Sequence, residues 1–353
     1  MERVRVAVLY GGRSSEHSIS CVSAGSILAS IDRTRFDPIA IGIAEDGRWT
    51  LGDGDPAELR IVDGRLPTVV DSGGEPPRPV PGAGIDGVGH VDVVFPVLHG
   101  PYGEDGTVQG LLELIGLPYV GSGVLASAVA MDKGAAKRLL RDAGLPVGPF
   151  AVVTDAQWRT GREAALMRAE ALGYPVFVKP IRAGSSRGIA KARDRRELEA
   201  AIEAARAHDP QVIVEASIER AREIECGVLG GIEPRASRCA EIIVRGHEFY
   251  DFDAKYLDDS AELVVPADLE PSMEARVREL SLEAFAALGC EGLARVDFFV
   301  TPAGEILVNE VNTMPGFTPI SMFPRMWAQT GLDYTSLITV LIEDALSRGT
   351  GLR

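Results

Sequence analysis

LARVDFFV (residues 293–300) and ILVNEVNTMPG (residues 306–316) are two apolar stretches, and polar side chains interrupt both of them with the same two-residue spacing. Each stretch is rich in Val, Leu, Ile or Phe, which predicts two buried β-strands. A charged side chain inside such a strand is costly unless a partner or ligand meets it. The interrupting residues are Arg295, Asp297, Glu310 and Asn312.

The spacing of these residues predicts that they face one another. Arg295 and Asp297 are two residues apart, which in an extended strand places both side chains on one face. Glu310 and Asn312 have the same spacing. Two carboxylates and an amide oxygen suit Mg²⁺ bridged to nucleotide phosphates, and the arginine can stabilise developing oxyanion charge. A buried salt-bridged pair of strands is the simpler interpretation, but it does not explain the matched interruptions or the Gly316 turn after them.

Length and composition indicate a folded protein of two or three domains. The chain has 353 residues, of which 46% are hydrophobic and 25% charged, close to globular averages. Its net charge of −15 would be repelled by nucleic acid and by anionic membranes, so neither is expected as a partner. Any phosphate ligand must therefore be held by local cations, backbone N–H groups and metal.

Nothing in the sequence predicts a membrane span or secretion. The longest weakly polar run, residues 120–131, is too short for the roughly 20 residues of a membrane helix. The first ten residues alternate like a strand and have no signal-peptide pattern. The four cysteines are scattered without a C-x-x-C pair, so we expect reduced, buried thiols in a cytoplasmic protein.

The first third of the chain predicts a doubly wound α/β domain. It alternates β-branched runs with a helical stretch, and half of residues 71–90 are Gly or Pro, which predicts a surface loop there. The predicted elements are strands at 4–10, 38–44, 91–98 and 118–121 and a helix at about 19–31.

The rest of the chain predicts further α/β units without an internal repeat. Asp132 can cap a helix that stops at Gly144, and Pro271 suits the first turn of a helix that ends at Gly289. The other predicted elements are a helix at 195–207 and strands at 176–180, 212–216, 223–230, 240–244, 293–300 and 306–312.

Two loops after N-terminal strands are candidate ligand sites. GGRSSEH (11–17) lacks the third glycine of a dinucleotide fingerprint, and Glu16 would repel a pyrophosphate but suit an ammonium. Taken alone, this segment is better explained as a tight turn. His99 lies in LHGPYGEDGTVQG (98–110), where a strand ends, and could position or polarise a carboxylate.

Two lysines are phosphate candidates. Lys179 ends the apolar strand VFVKP, where an unpaired ammonium would be costly, and the following loop GSSRG (184–188) has the composition of a flap over phosphates. Lys133 is the second candidate, although a surface lysine is an equally credible interpretation of it alone. The chain contains no P-loop motif.

Together these segments resemble the D-alanine:D-alanine ligases of the ATP-grasp superfamily, in the family's order and over nearly the whole chain. The resemblance implies a Rossmann-like N-terminal α/β domain (1–124), a central ATP-grasp subdomain (125–215) and a C-terminal catalytic subdomain (216–353). Its segments are GGRSSEHSIS, LHGPYGEDGTVQG, PYVGSGVLASAVAMDK, VFVKPIRAGSSRG, REIEC, FYDFDAKY, ARVDFF and NEVNTMPGFTPISM.

The resemblance also implies a role for each site residue. ATP phosphates would contact Lys133, Lys179, Ser185, Ser186 and Lys255, and the nucleoside and its surroundings Glu215, Glu223 and Asn309. Two Mg²⁺ ions, for which Mn²⁺ could substitute, would be held by Asp297, Glu310 and Asn312. The first D-alanine would bind Glu16, and the oxyanion Arg295 and the Gly316 amide. His99, Ser185 and Tyr256 would orient substrates and a closing loop, FYDFDAKY (249–256), and the second D-alanine would meet Ser321 and Met322.

The implied reaction joins two D-alanine molecules through a D-alanyl phosphate for peptidoglycan precursor synthesis, in a cytoplasmic homodimer. Ser217 and Arg187 depart from the family pattern and leave the adenine contact and the flap contact open. The nearest alternative is another carboxylate–amine ligase or a D-alanine:D-lactate ligase. An NAD-dependent oxidoreductase is disfavoured by the missing glycine, and a non-catalytic nucleotide-binding module by the intact metal and lysine set.

Overall fold

The computed structural model describes residues 3–70, 73–184, 188–244 and 261–351. Three sheets and one small hairpin organise these residues. The strands are β1 (Val4–Gly11), β2 (Phe36–Ile43), β3 (Trp49–Leu51), β4 (Arg78–Val80), β5 (Gly84–Asp86), β6 (Val93–Pro96), β7 (Phe150–Val153), β8 (Val176–Pro180), β9 (Ala190–Ala192), β10 (Val212–Ala216), β11 (Arg222–Leu229), β12 (Arg235–Val244), β13 (Ala261–Val264), β14 (Leu293–Val300) and β15 (Ile306–Asn312). The helices are α1 (His17–Ser30), α2 (Thr107–Ile115), α3 (Val124–Met131), α4 (Lys133–Asp142), α5 (Asp155–Glu170), α6 (Arg195–Arg206), α7 (Pro271–Ala287), α8 (Met322–Gln329) and α9 (Tyr334–Arg348).

The first sheet has the order β3-β2-β1-β6, with β1 parallel to both β2 and β6. Parallel neighbours need crossover connections, and α1 supplies the one between β1 and β2. The predicted doubly wound unit is therefore confirmed, with two corrections. The Gly- and Pro-rich segment 71–90 is not all loop, because β4 and β5 form a short antiparallel hairpin inside it. The expected strand at 118–121 is only a single bridge between Tyr119 and Val94, since Pro118 cannot donate a ladder hydrogen bond.

The second sheet has the order β7-β10-β8-β9, and all its strands run antiparallel. Helices α5 and α6 cover it, and both begin at capped termini. Thr154 and Gln157 form a capping box at α5, and the Asp194 carboxylate accepts from the Glu197 N–H at α6. Val178 and Val214 point into the core of this unit, so the neighbouring residues Lys179 and Glu215 lie on the opposite face of the sheet.

The third sheet has the order β13-β12-β11-β14-β15 and packs against α7. As predicted, Asp132 caps α4 by accepting from the Ala135 N–H, and Pro271 lies in the first turn of α7. Helix α4 buries Leu140 in the same core as Val296 of β14. The predicted domain bounds at 124 and 215 stay a prediction.

The C-terminal helices return to the first sheet. Phe317 packs edge-on to Phe95 of β6 at 5.7 Å, and Trp327 of α8 and Leu341 of α9 join the core that contains Val6 of β1. This contact fixes the loop after β15 against the N-terminal unit. All four cysteines are free and buried, as expected. Within the described ranges, no helix combines the length and apolar character needed to cross a bilayer.

Candidate active site

A cavity of about 980 Å³ lies between the second and third sheets and extends to the start of α1. Its walls come from strands β8, β10, β11, β14 and β15, from α4, and from the loops that follow β6 and β15. All the predicted site residues within the described ranges line it: Glu16, His99, Lys133, Lys179, Glu215, Glu223, Arg295, Asp297, Asn309, Glu310, Asn312, Gly316, Ser321 and Met322. The topology therefore brings together residues that are up to 306 positions apart in sequence.

Strands β14 and β15 place their polar residues in register. Arg295 lies opposite Asn312, and Asp297 lies opposite Glu310. The Arg295 guanidinium donates to both Asp297 oxygens at 2.6 and 2.7 Å, and Asn312 Nδ2 donates to Asp297 Oδ2 at 3.0 Å. Glu225 of β11 also contacts Arg295, with Oε1 3.3 Å from Nε. The alternating spacing had predicted this convergence, but it gave no signal for Glu225.

A β-bulge explains how Asn309 joins the site. Between Asp297 and Phe298 the register shifts, so that Phe298 pairs with Val308 and Asn309 is the extra residue of β15. Val308 and Val311 are buried in the core, whereas Asn309 and Glu310 are both half-buried beside the cavity. A bulge re-aims side chains in this way, and simple alternation along the strand does not predict it.

The two predicted lysines are both held by carboxylates. Lys133 Nζ lies 3.3 Å from Glu310 Oε2 and donates to the Ala183 carbonyl at 3.1 Å. Lys179 Nζ lies 2.6 Å from Glu215 Oε2. Burial disfavours the Lys179 ammonium, but Glu215 outweighs that effect and raises its pKa. A third lysine, Lys137, contacts Glu215 from α4 at 2.9 Å, and sequence reasoning missed it.

Glu16 lies where two glycines approach it closely. A Cβ on Gly100 would stand 2.5 Å from Glu16 Oε2, and one on Gly184 2.6 Å. Neither position accepts a side chain without displacing the carboxylate. His99, next to Gly100, is buried, with Nδ1 3.1 Å from the Met314 carbonyl and Nε2 3.1 Å from Ser23 Oγ.

Both ring nitrogens of His99 are thus engaged within the protein. Burial lowers its pKa, although the nearby Glu16 charge opposes the shift, so the ring is neutral at pH 7. With Nδ1–H donated to Met314, Nε2 accepts from the Ser23 hydroxyl. The geometry makes His99 a tether between α1 and the loop after β15.

Glu104 is a third residue, after Glu225 and Lys137, that the sequence pattern did not predict. Its Oε1 accepts from the Gly100 N–H at 2.6 Å. Burial, reinforced by the charge of Glu16, raises its pKa to about 8, against the opposing pull of N–H groups and of Arg295. Glu104 is therefore largely protonated at pH 7.

The loop after β15 contributes polar residues to the lining of the cavity. Ser321 precedes α8, and its Oγ lies 2.8 Å from Thr318 Oγ1 and accepts from the Thr318 N–H at 3.1 Å. Gly316 packs against this hydroxyl, since a Cβ there would stand 3.3 Å from Ser321 Oγ. Thr318 carried no sequence signal beyond its place in the motif.

Ser217 and Glu223 line the cavity near β10 and β11. The remaining predicted residues lie outside the described residues and are not placed: Ser185, Ser186, Arg187, Lys255 and Tyr256, with the proposed closing loop 249–256.

The oxygen donors on β14 and β15 fit a hard divalent cation by their chemistry. They are two carboxylates and one amide on neighbouring strands, facing lysines that could meet the phosphates of a nucleotide. In the described part of the chain, no cluster of three or more His, Cys, Asp or Glu side chains has the arrangement of a metal site. A cation here would therefore need Asn312 and ligand oxygens as further donors.

Comparison with known proteins identifies one family along the chain. The family model described as "D-ala D-ala ligase N-terminus" matches residues 5–122, and the one described as "D-ala D-ala ligase C-terminus" matches residues 139–343.

Full-length relatives and solved structures agree. A D-alanine–D-alanine ligase from Mycobacterium sp. (strain KMS) is 57% identical over 100% of this chain and 99% of the relative, and one from Mycobacterium avium (strain 104) is 54% identical over the same shares. The D-alanine–D-alanine ligase structure from Coxiella burnetii has a TM-score of 0.84 at 35% identity, covering 99% of this chain and 95% of that one. A D-Ala:D-Ser ligase structure from Enterococcus faecalis has a TM-score of 0.85 at 38% identity, covering 98% and 100%.

Proposed function

The chain belongs to the D-alanine–D-alanine ligase family, and from this premise we propose which of its residues carry each part of the reaction. It is an ATP-dependent enzyme of peptidoglycan precursor synthesis that joins two D-alanine molecules. Its full-length relatives at 54–57% identity bear the D-alanine–D-alanine name, which does not favour a D-lactate or other carboxylate–amine ligase.

One observation carries the assignment of the catalytic centre. Arg295 and Asp297 on β14 meet Glu310 and Asn312 on β15 across one register, and Glu310 faces Lys133. Cations and oxygen donors alternate across this wall of the cavity. Such a wall suits a ligand that carries phosphates together with divalent metal.

In the proposed nucleotide site, Lys133 and Lys179 hold the phosphates of ATP, and Glu215 and Glu223 contact the adenosine. Asp297, Glu310 and Asn312 would hold two Mg²⁺ ions, or Mn²⁺ in their place. When bound, these ions neutralise phosphate charge and orient the transferred group. Ser185, Ser186 and Lys255 are proposed phosphate contacts on the family resemblance alone.

The first substrate is proposed to bind with its ammonium at Glu16 and its carboxylate toward Arg295. A carboxylate is a poor electrophile, so one of its oxygens attacks the γ-phosphorus, ADP leaves and D-alanyl phosphate forms. Lys133, Lys179 and Arg295 offset the crowding of negative charge in this step.

The second D-alanine is proposed to enter beside Ser321 and Met322, with its carboxylate toward the start of α8. Its neutral amine attacks the acyl carbon, loses a proton and expels phosphate. Arg295 and the Gly316 N–H are proposed to receive the tetrahedral oxyanion. His99 positions the Gly316 loop through its bond to the Met314 carbonyl.

An assay of products tests this assignment. The enzyme is given Mg-ATP with D-alanine, L-alanine or D-lactate, and ADP, phosphate and ligated product are quantified by mass. We expect D-alanyl-D-alanine, ADP and phosphate in equal amounts with D-alanine alone. Equal ADP formation with L-alanine, without D-alanyl-D-alanine, would contradict the proposal. A homodimer and a cytoplasmic location are proposed from the family resemblance.

A further inference from the structure

Lys137 is a buried lysine for which the reaction described above has no task. It lies one turn after Lys133 on α4 and is only 4% exposed. Its ammonium lies 2.9 Å from Glu215 Oε1, while Lys179 lies 2.6 Å from Oε2. A lysine is rarely buried without a partner, so this contact accounts for where Lys137 sits. Glu215, itself buried, thus faces one cation from α4 and one from β8.

The charge balance of this triad changes when ATP binds. Lys179 is the proposed phosphate ligand, and on that assignment its ammonium turns from Glu215, 2.6 Å away in this structure, toward a phosphate group. The other charged groups that act on Lys179 are Glu223 and Glu310, which are both acidic and cannot replace it beside Glu215. Of the two described cations that contact Glu215, only Lys137 then stays.

We propose that Lys137 is a positioning residue for adenine recognition, because it keeps Glu215 a charged acceptor for the 6-amino group of adenine after Lys179 turns to the phosphates. This inference rests on the proposed function. A carboxylate can only accept a hydrogen bond, and the 6-amino group of adenine donates one. Hypoxanthine and guanine carry a carbonyl oxygen at that position, which is also an acceptor, so a charged Glu215 disfavours them.

Without Lys137, the buried carboxyl group would take up a proton when Lys179 leaves it. A protonated Glu215 can donate to a 6-carbonyl oxygen, so the preference for ATP over ITP should shrink or reverse. A lysine that only stabilised the fold would have a different signature. Its loss would weaken the binding of both nucleotides alike and leave their ratio unchanged.

The experiment measures kcat and KM for ATP and for ITP at saturating D-alanine and Mg²⁺, in the unmodified enzyme and in Lys137→Met. A hydrogen bond to a charged group is worth about 1.5–3 kcal/mol, so we expect KM for ATP to rise about ten- to hundredfold. KM for ITP should stay the same or fall, and kcat with ATP should change much less than KM.

Arg138→Met is the matched control. Arg138 follows Lys137 on α4 but is exposed, so this variant removes the same charge from the same helix without touching Glu215. Its ATP-to-ITP ratio of kcat/KM should equal that of the unmodified enzyme. Lys137→Arg, which keeps the charge, should restore most of the ratio that Lys137→Met loses.

A parallel rise of KM for both nucleotides in Lys137→Met overturns the inference. If that variant does not fold, Glu215→Gln replaces it, because the amide can donate to a 6-carbonyl oxygen and should lower the same ratio. An unchanged ratio in Glu215→Gln also overturns it. These outcomes are separate from failure of the proposed function, which would show as no dipeptide from the unmodified enzyme with ATP and D-alanine.

Discussion

Removing the Arg295 guanidinium tests the catalytic centre most directly, because the structure predicts two separate losses. Arg295 donates to both oxygens of Asp297 and contacts Glu225 at 3.3 Å, and its side chain is 18% exposed. Arg295→Met keeps most of the apolar stem and leaves the two carboxylates without their cation. Asp297 keeps its bond from Asn312.

The expected magnitudes follow from these contacts. Leaving a buried charge without its partner costs about 3–5 kcal/mol. We expect about 3 kcal/mol, the lower end, because Asp297 keeps the Asn312 donor and the site is partly open to water. Loss of an oxyanion donor lowers kcat by about 10²–10³-fold. Arg295→Lys keeps the charge but not the two-pronged geometry, so its stability and its kcat should lie between those of Arg295→Met and those of the unmodified enzyme.

Urea denaturation and ADP release per folded molecule measure the two losses separately. Arg182→Met is the matched control, because Arg182, just after β8, makes a similar two-pronged pair with Asp209, just before β10, with both distances 2.9 Å. That variant should lose some stability but keep its turnover. If Arg295→Met loses stability while its kcat stays within a factor of about three, the oxyanion role is refuted, since a lost donor should cost far more.

Three further changes have outcomes that the structure specifies. Glu310→Gln keeps the shape but loses the charge beside Lys133, so kcat should fall and the Mg²⁺ requirement rise with little change in unfolding, as followed by a magnesium titration and circular dichroism. Gly100→Ala puts a methyl group 2.5 Å from Glu16 Oε2 at a positive φ of 75°, so KM for D-alanine should rise and stability fall by about 1–3 kcal/mol; an unchanged KM would argue against Glu16 as the ammonium site. The pKa of Glu104 rises from an ordinary 4.5 to about 8 on folding. Between these two values the folded protein holds a proton that the unfolded chain releases. The contribution of this proton to the free energy of unfolding is therefore complete below about pH 4.5 and is lost as the pH rises to 8. Glu104→Gln cannot ionise and should lose less stability than the unmodified protein between pH 5 and pH 9, as measured by urea midpoints; equal losses would contradict the buried proton.

Elements with a strong local pattern were predictable from the sequence. The α/β start, the cap at Asp132, the first-turn Pro271 and the strands that carry Arg295 and Glu310 each have a signal within a few residues of the element itself. Helix α5 was missed although Thr154 and Gln157 form a capping box, because the weak amphipathic pattern after it did not mark a helix.

The parts of the site that were not predicted depend on contacts between distant segments. Lys137 has the sequence context of a surface lysine, and only the packing of α4 beside β10 brings it to Glu215. Glu104 lies in an acidic, Gly-rich loop, and its proton follows from burial next to Glu16. Asn309 entered through the family resemblance alone, since the bulge that exposes it needs the register of β14 against β15. In each case the role of the residue depends on which distant segments pack around it, and the spacing of residues along one strand does not predict that packing.

The pairing of charges in the cavity also resolves how a chain of net charge −15 can hold a polyanion. The three described cationic side chains proposed to meet phosphate or the oxyanion each have a carboxylate partner: Lys133 has Glu310, Lys179 has Glu215, and Arg295 has Asp297. Before substrates bind, these pairs avoid the energetic cost of a buried charge without a partner.

A ligand that carries phosphates together with divalent metal offers both members of a pair a new partner, phosphate for the lysines and cation for Glu310 and Asp297. Binding then exchanges partners without leaving a charge unpaired, whereas a bare polyphosphate would compete with the carboxylates for the same lysines. We therefore expect the charge pairs of the cavity to favour metal-bound over metal-free ATP. Glu215 differs from Glu310 and Asp297 because it is not a proposed metal ligand, so after Lys179 turns to phosphate its remaining cation among the described residues is Lys137.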